Sequence, residues 1–369
     1  MHHTTLAQMA ITALIVALLP LSMVWISKDV DKYRKLVWVS VFLTFDLIVF
    51  GAFTRLTDSG LGCPDWPGCY GLANPFLAHD EIRAAEALMP TGPVTLFKAW
   101  VEMIHRYLAM GIGILIMAMM ATAWYRWRRE KKAGYQPGYP TALFLFICLQ
   151  GAFGAWTVTL KLQPIIVTMH LLLGMGLLAL LVWFGEKQNH AVQSSGPAGV
   201  PAVMPGGLRV LAALSGVVLL VQLFLGGWVS TNYATLACTE FPLCGGGRVI
   251  PEMDFGHGFH LWRELGKTSA GHYLPFSALT AIHWVHRNFA LVVVFVLGYT
   301  CWRARHVAAL RKPVRGIAIV LVLQALTGIA TIYLSYPLAI AVLHNAGAAA
   351  LVLCLTMVNY RVVFLTSPR

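Results

Sequence analysis

The sequence predicts an all-α polytopic membrane protein, with two tandem four-helix transmembrane bundles related by a pseudo-two-fold axis along the membrane normal. Three observations predict it. Of 369 residues, 58% are hydrophobic and only 11% charged, with a mean hydropathy of +0.70, whereas a soluble domain carries about a quarter charged residues. Apolar runs long enough to cross a bilayer, about 20 residues each, recur along the whole chain. The second half also repeats the polar punctuation of the first.

In chain order, spans are expected near residues 37–56, 99–124, 140–160, 165–184, 208–230, 276–301, 316–335 and 338–359. A further apolar run near residues 6–27 is interrupted by Pro20 and stops before Lys28. It has no charged n-region and no small-residue cleavage site, so it reads as an additional span rather than a signal peptide. This organises the chain into an N-terminal segment (1–36), an N-terminal bundle (37–190), a Gly/Pro/Ser-rich linker (191–207) and a C-terminal bundle (208–369).

The repeat is explicit. GAFTRLTDSGLGCPDWPGC from Gly51 matches GGWVSTNYATLACTEFPLC from Gly226. MIHRYLA around His105 matches WVHRNFA around His286, and LQGAFGAWTV from Leu149 matches LQALTGIATI from Leu323. TMHLLLGMG around His170 matches VLHNAGAAA around His344. Cys and polar positions agree as well as apolar ones, which points to duplication. Four spans per unit return the chain to its starting side, so the two units share one orientation.

The net charge of +12 does not indicate nucleic acid, because Lys and Arg fall in short clusters between spans. Lys28, Lys32, Arg34 and Lys35 form one cluster, and Arg126, Arg128, Arg129, Lys131 and Lys132 a second. Arg303, Arg305, Arg311, Lys312 and Arg315 form a third, with Arg361 and Arg369 at the end of the chain. They alternate with loops holding Asp58, Asp65, Asp80, Glu81, Glu86, Glu252, Asp254 and Glu264. The positive-inside rule puts the basic loops and the C-terminus in the cytoplasm and the Cys-bearing loops outside. A multi-pass protein of a bacterial-type inner membrane follows.

Four histidines lie inside spans at matched positions, His105, His170, His286 and His344, each within about two turns of the outer end of its helix. Ionisable groups at membrane depth are costly and mark function. A single such His is readily a core residue bonded to a carbonyl, but that reading strains for four at equivalent positions. One His from each of two facing helices is the way a bundle holds a haem axially. His105 pairs with His170 on this reading, and His286 with His344. Zinc fits less well, since no third intramembrane ligand is evident in the first half, and no other metal site is expected.

Arg106 and Arg287 follow candidate ligands and suit either haem propionates or snorkelling to headgroups. Three residues before His105 stands Glu102, where the second half has His283. The i,i+3 spacing puts ligand and carboxylate on one helix face. A carboxylate there can act as base, stabilise positive charge or attack covalently; a structural Glu bonded to a neighbouring helix is the plainer alternative. Asp46 reads as a polar contact between helices. Cys63/Cys69 and Cys238/Cys244 have the spacing and setting of disulfides, either structural or redox-active. Cys148, Cys301 and Cys354 read as small core residues, and His257, His260 and His272 as solvated loop residues.

These motifs resemble the haem A synthase family of the cytochrome oxidase assembly pathway. TRLTDSGLGCPDWPGC, the ExxHR of Glu102–Arg106, His170, the HxxHR of His283–Arg287 and His344 carry the resemblance, from about Lys35 to Arg361. It implies a substrate haem held by His105 and His170, a haem b ligated by His286 and His344, and Glu102 as the essential carboxylate. It also implies oxidation of a haem O methyl group to the formyl group of haem A. Haem O and the lipid bilayer are the expected partners, with haem O synthase, oxidase assembly factors and a second copy of the chain as further candidates; the electron acceptor and the oligomeric state are not specified by the sequence. The rival from another class is a di-haem electron-transfer protein without substrate chemistry, which predicts ligands near both membrane faces. A transporter would need broken helices at matched positions and a prenyltransferase acidic loop clusters, while a haem-insertion or structural assembly factor without chemistry stays an alternative for which Glu102 is the discriminator.

Overall fold

The computed structural model describes residues 2–131, 133–193 and 204–364. Residues 194–203 of the expected linker, with Lys132 and Arg369, lie outside them. All regular structure among the described residues is helical. The long helices are α1 (His2–Ile26), α2 (Lys32–Leu56), α4 (Leu96–Glu130), α5 (Gly138–Thr159), α6 (Pro164–Gln193), α7 (Leu208–Thr231), α9 (Phe276–Ala304), α10 (Arg311–Tyr333) and α11 (Leu338–Phe364). Two shorter helices, α3 (His79–Leu88) and α8 (Phe255–Gly258), lie in loops. Nine described helices are long and apolar enough to cross a membrane, the first of them over Thr4–Ile26. In hydrocarbon the helix satisfies every backbone group internally, so these runs have no alternative.

Local signals set the ends. Asp31 caps α2 by accepting from the Arg34 N–H at 3.0 Å, and Thr95 caps α4 by accepting from that of Lys98 at 3.2 Å. Pro164 opens α6, where a missing N–H costs nothing.

The chain divides into two compact units, Met1–Leu162 with Gly176–Pro197, and Gln163–Met175 with Ala198–Arg369. In the first, α4 packs on α1, α2 and α5. Small residues let α1 approach: Ala13 and Ala17 are buried, and a Cβ on Gly111 of α4 would stand 2.9 Å from Val16. In the second, α7 packs on α9 and α11, and α10 packs on the same two helices. Helices α9 and α11 therefore occupy opposite corners of a four-helix bundle.

The repeat extends to turn geometry. Positive φ occurs at Asp58 and Tyr233, and at Lys161–Leu162 and Ser335–Tyr336. At each of these turns a backbone N–H reaches five residues back: Ser59 to Thr54 and Ala234 to Val229, Leu162 to Thr157 and Tyr336 to Thr331. These are helix stops of the Schellman kind, in which the N–H after the left-handed residue closes the last turn.

Candidate functional site

Each unit builds the same device at the start of its histidine-bearing helix. Cys63 is bonded to Cys69 and Cys238 to Cys244, with Cα separations of 4.9 and 4.6 Å, as the sequence predicts. All four sulfurs belong to buried residues. Asp65 ties the first loop by accepting from the N–H groups of Tyr70 at 2.7 Å and Gly71 at 2.6 Å. Glu240, its counterpart, accepts from that of Gly247 at 3.2 Å.

The ExxHR and HxxHR motifs grip these loops. The Cys63 N–H donates to Oε2 of Glu102 at 2.8 Å, and the Cys238 N–H donates to Nδ1 of His283 at 3.2 Å. Arg106 donates to the carbonyls of Asp65, Pro67 and Gly68 and pairs with Glu102. Arg287 donates to the carbonyls of Glu240, Pro242 and Leu243. The i+1 position is about 100° round the helix from the histidine, since a turn takes 3.6 residues, so the guanidiniums lie on the loop side. The i,i+4 spacing then sets Glu102 beside Arg106. Both are nearly buried, with side-chain exposures of 6% and 10%.

The histidines are placed by glycines on neighbouring helices. A Cβ on Gly51 of α2 would meet Cε1 of His105 at 2.9 Å, and one on Gly226 of α7 would meet Cε1 of His286 at 3.0 Å. Only a residue without a side chain admits an imidazole so close to a helix backbone. Gly328 of α10 stands the same way against His344, its Cβ position 3.4 Å from Cε1. His105 also stacks on Phe50, with ring centroids 6.2 Å apart. His170 and His344 each lie six residues into their helices. By the division above, His170 groups with the second unit and His105 with the first.

The Nδ1 atoms of His286 and His344 are both engaged. Nε2 of Gln222 lies 3.2 Å from Nδ1 of His286 and also donates to the His286 carbonyl at 3.2 Å. Oγ1 of Thr327 lies 2.9 Å from Nδ1 of His344 and donates its proton to the Leu323 carbonyl at 2.8 Å. With that proton committed, the Thr327 oxygen accepts from Nδ1–H of His344. This fixes the tautomer whose Nε2 lone pair is free for a metal. Two imidazoles on opposite corners of one bundle, one with its tautomer set, are a donor set that fits an axially ligated haem iron. Replacing Thr327 by Val removes the acceptor at nearly constant volume. The expected result is roughly a 10- to 100-fold loss of haem affinity, read by titrating haem into the purified apoprotein.

Gln222, Thr327 and the three glycines were not found from the sequence. Their counterparts explain part of the omission, since Gln222 aligns with Leu47 and Thr327 with Phe153. Two expectations are corrected: Cys148 is exposed on α5 rather than a core residue, and Asp46 is exposed on α2. Cys301 is buried, and His257, His260 and His272 are exposed as expected.

Residues 34–356 match the family model described as cytochrome oxidase assembly protein. The chain is 36% identical to heme A synthase of Shewanella oneidensis over 325 residues, 87% of this chain and 94% of that protein. It is 30% identical to heme A synthase of Rhizorhabdus wittichii over 85% of this chain and 89% of that one. Heme A synthase of Erythrobacter litoralis is 29% identical, over 86% and 93%. The chain belongs to the haem A synthase family of cytochrome oxidase assembly proteins, and with it to the oxidoreductases of haem A biosynthesis.

Proposed function

We propose that the protein oxidises the methyl group of haem O to the formyl group of haem A, and that electrons leave through a haem b held by His286 and His344. The observation that carries this reading is the difference between two otherwise matched sites. The buried residue that accepts the first Cys N–H is a carboxylate in one unit, Glu102, and an imidazole in the other, His283. Haem b, when bound, would supply one-electron redox capacity. Gln222 and Thr327 orient the two imidazoles that hold it.

His105 and His170 are assigned to the substrate haem by their equivalence to that pair. Glu102, next to His105 on α4, would place a fixed negative charge or a proton acceptor beside the reacting carbon. Arg106 and Arg287 act first as positioning residues that hold the disulfide loops; the N–H groups not used there remain for propionates. The disulfides are structural in this reading, each buried beneath its loop. In this reading the loops that bear them face out of the cytoplasm and the C-terminus faces in, which the distribution of the basic clusters supports. The two-bundle division at residues 37–190 and 208–369 belongs to the same reading.

The test is the haem content of the protein made in a host that produces haem O. Extracted and chromatographed, it should carry haem b together with haem A or the intermediate alcohol. A protein that holds haem b alone and forms no haem A would be a di-haem electron carrier instead.

A further inference from the structure

Away from the histidines, the second unit buries a cation on neutral partners. Arg263, between α8 and α9, is only 3% exposed. Its guanidinium donates to Oδ1 of Asn232 and, at 3.4 Å, to the Lys267 carbonyl, and lies 5.7 Å from the centre of the Trp228 ring. Its Nε is buried with no hydrogen-bond partner. The adjacent acid, Glu264, is paired at 2.7 Å with the Lys267 ammonium. Burial pulls the Arg263 guanidinium below its ordinary pKa, the mark of a charge removed from water without a counter-ion.

Beside it opens a recess of about 290 Å³, lined by Arg263 with Gln163, Trp262, Glu264, Lys267, Thr268 and Ser269. Thr268 is 8% exposed, and its Oγ1 also has no partner. The unfilled guanidinium N–H of Arg263 and the unfilled hydroxyl of Thr268 form the donor set for an oxyanion, while the Lys267 ammonium at the recess is balanced by Glu264. The planar fork of Arg favours phosphate or carboxylate geometry. Exposed aromatics close by in the chain indicate the source. Trp262, Tyr273 and Phe276 are 66%, 91% and 65% exposed, and Phe276 is the first residue of membrane-spanning α9. Exposed aromatics where a span begins belong to the headgroup layer.

We propose that this recess binds the phosphate of an anionic phospholipid headgroup in the leaflet on the disulfide side of the membrane. The test is native mass spectrometry of the whole protein in detergent, titrated separately with phosphatidylglycerol, diacylglycerol and inorganic phosphate. One phosphatidylglycerol per chain should bind, and Arg263→Gln should weaken it about tenfold. Thr268→Val, which removes one hydroxyl at nearly constant volume, should weaken it severalfold, and it tests the site even if Arg263→Gln fails to fold. Diacylglycerol should not compete. Equal binding of phosphatidylglycerol and diacylglycerol, or unchanged binding in both variants, overturns the proposal. Binding of inorganic phosphate that fully displaces phosphatidylglycerol would assign the site to a free anion and overturn the lipid source.

Discussion

Replacing His344 by Ala is expected to strip the protein of haem b, with at most about a tenth of the wild-type occupancy remaining in the purified protein. Removal of a partner that only orients a ligand costs about 10- to 100-fold in affinity, and removal of the ligand itself should cost at least that. His286→Ala should do the same, because the two imidazoles sit at opposite corners of one bundle and neither can replace the other. The comparison that makes the result specific is His283→Ala. His283 is a buried histidine one turn from His286, but its Nδ1 is engaged with the Cys238 N–H. Its loss should loosen the second disulfide loop and leave haem b in place. The measurement is the reduced-minus-oxidised absorption spectrum together with the extracted haem per chain. If His344→Ala and His286→Ala keep full haem b while His283→Ala loses it, the ligand assignment is wrong.

How far the sequence discloses these roles depends on how far apart the interacting residues lie along it. The spans, the repeat and both disulfides were legible because their determinants are local: apolar runs of membrane length, a fixed interval between cysteines, and matched turns. The candidate ligands were legible because a His inside an apolar run stands out. Gln222 and Thr327 were not, because each meets its histidine across a helix pair and nothing in the spacing joins residue 222 to residue 286. The near-contacts of Gly51 and Gly226 are likewise properties of helix packing, which no spacing along the chain discloses.

Arg106 and Arg287 teach a different lesson. Adjacency to a candidate ligand suggested propionate contacts, but one residue along a helix is a large rotation. In the structure the guanidiniums answer the carbonyls of the disulfide loops, which cannot find partners within so tight a turn. The same rotation moves Glu102 from a simple neighbour of His105 to the partner of Arg106. The sequence left the bonding of the carboxylate open. The N-terminal helix, outside the residues that match the family model, is joined to this arrangement: Thr5 donates to the Gly71 carbonyl at 2.8 Å, and Met9 packs with Cys63, Cys69 and Tyr107.

That bonding poses the sharpest question about Glu102, because the carboxylate has a structural duty wherever its chemistry lies. Glu102→Ala cannot separate the two, since it frees the Cys63 N–H, exposes Arg106 to an unpaired burial and removes the acid at once. The second unit supplies the control. His283 accepts the equivalent Cys238 N–H, and Arg287 binds its loop through carbonyls alone, so an imidazole suffices for the fold. Glu102→His should therefore keep the Cys63–Cys69 bond, the thermal stability and the haem b content close to wild type. Glu102→Gln, which keeps an acceptor oxygen and the side-chain volume, should do likewise. Both should lower the rate of haem A formation by about 10²–10⁴-fold, the usual contribution of a positioned acid or base, and both should accumulate bound haem O. Conversion within a few-fold of wild type in the His variant would reduce Glu102 to a clamp on the disulfide loop. The carboxylate acting on substrate would then have to be sought elsewhere, with Asp46, exposed on α2, as the next residue to replace.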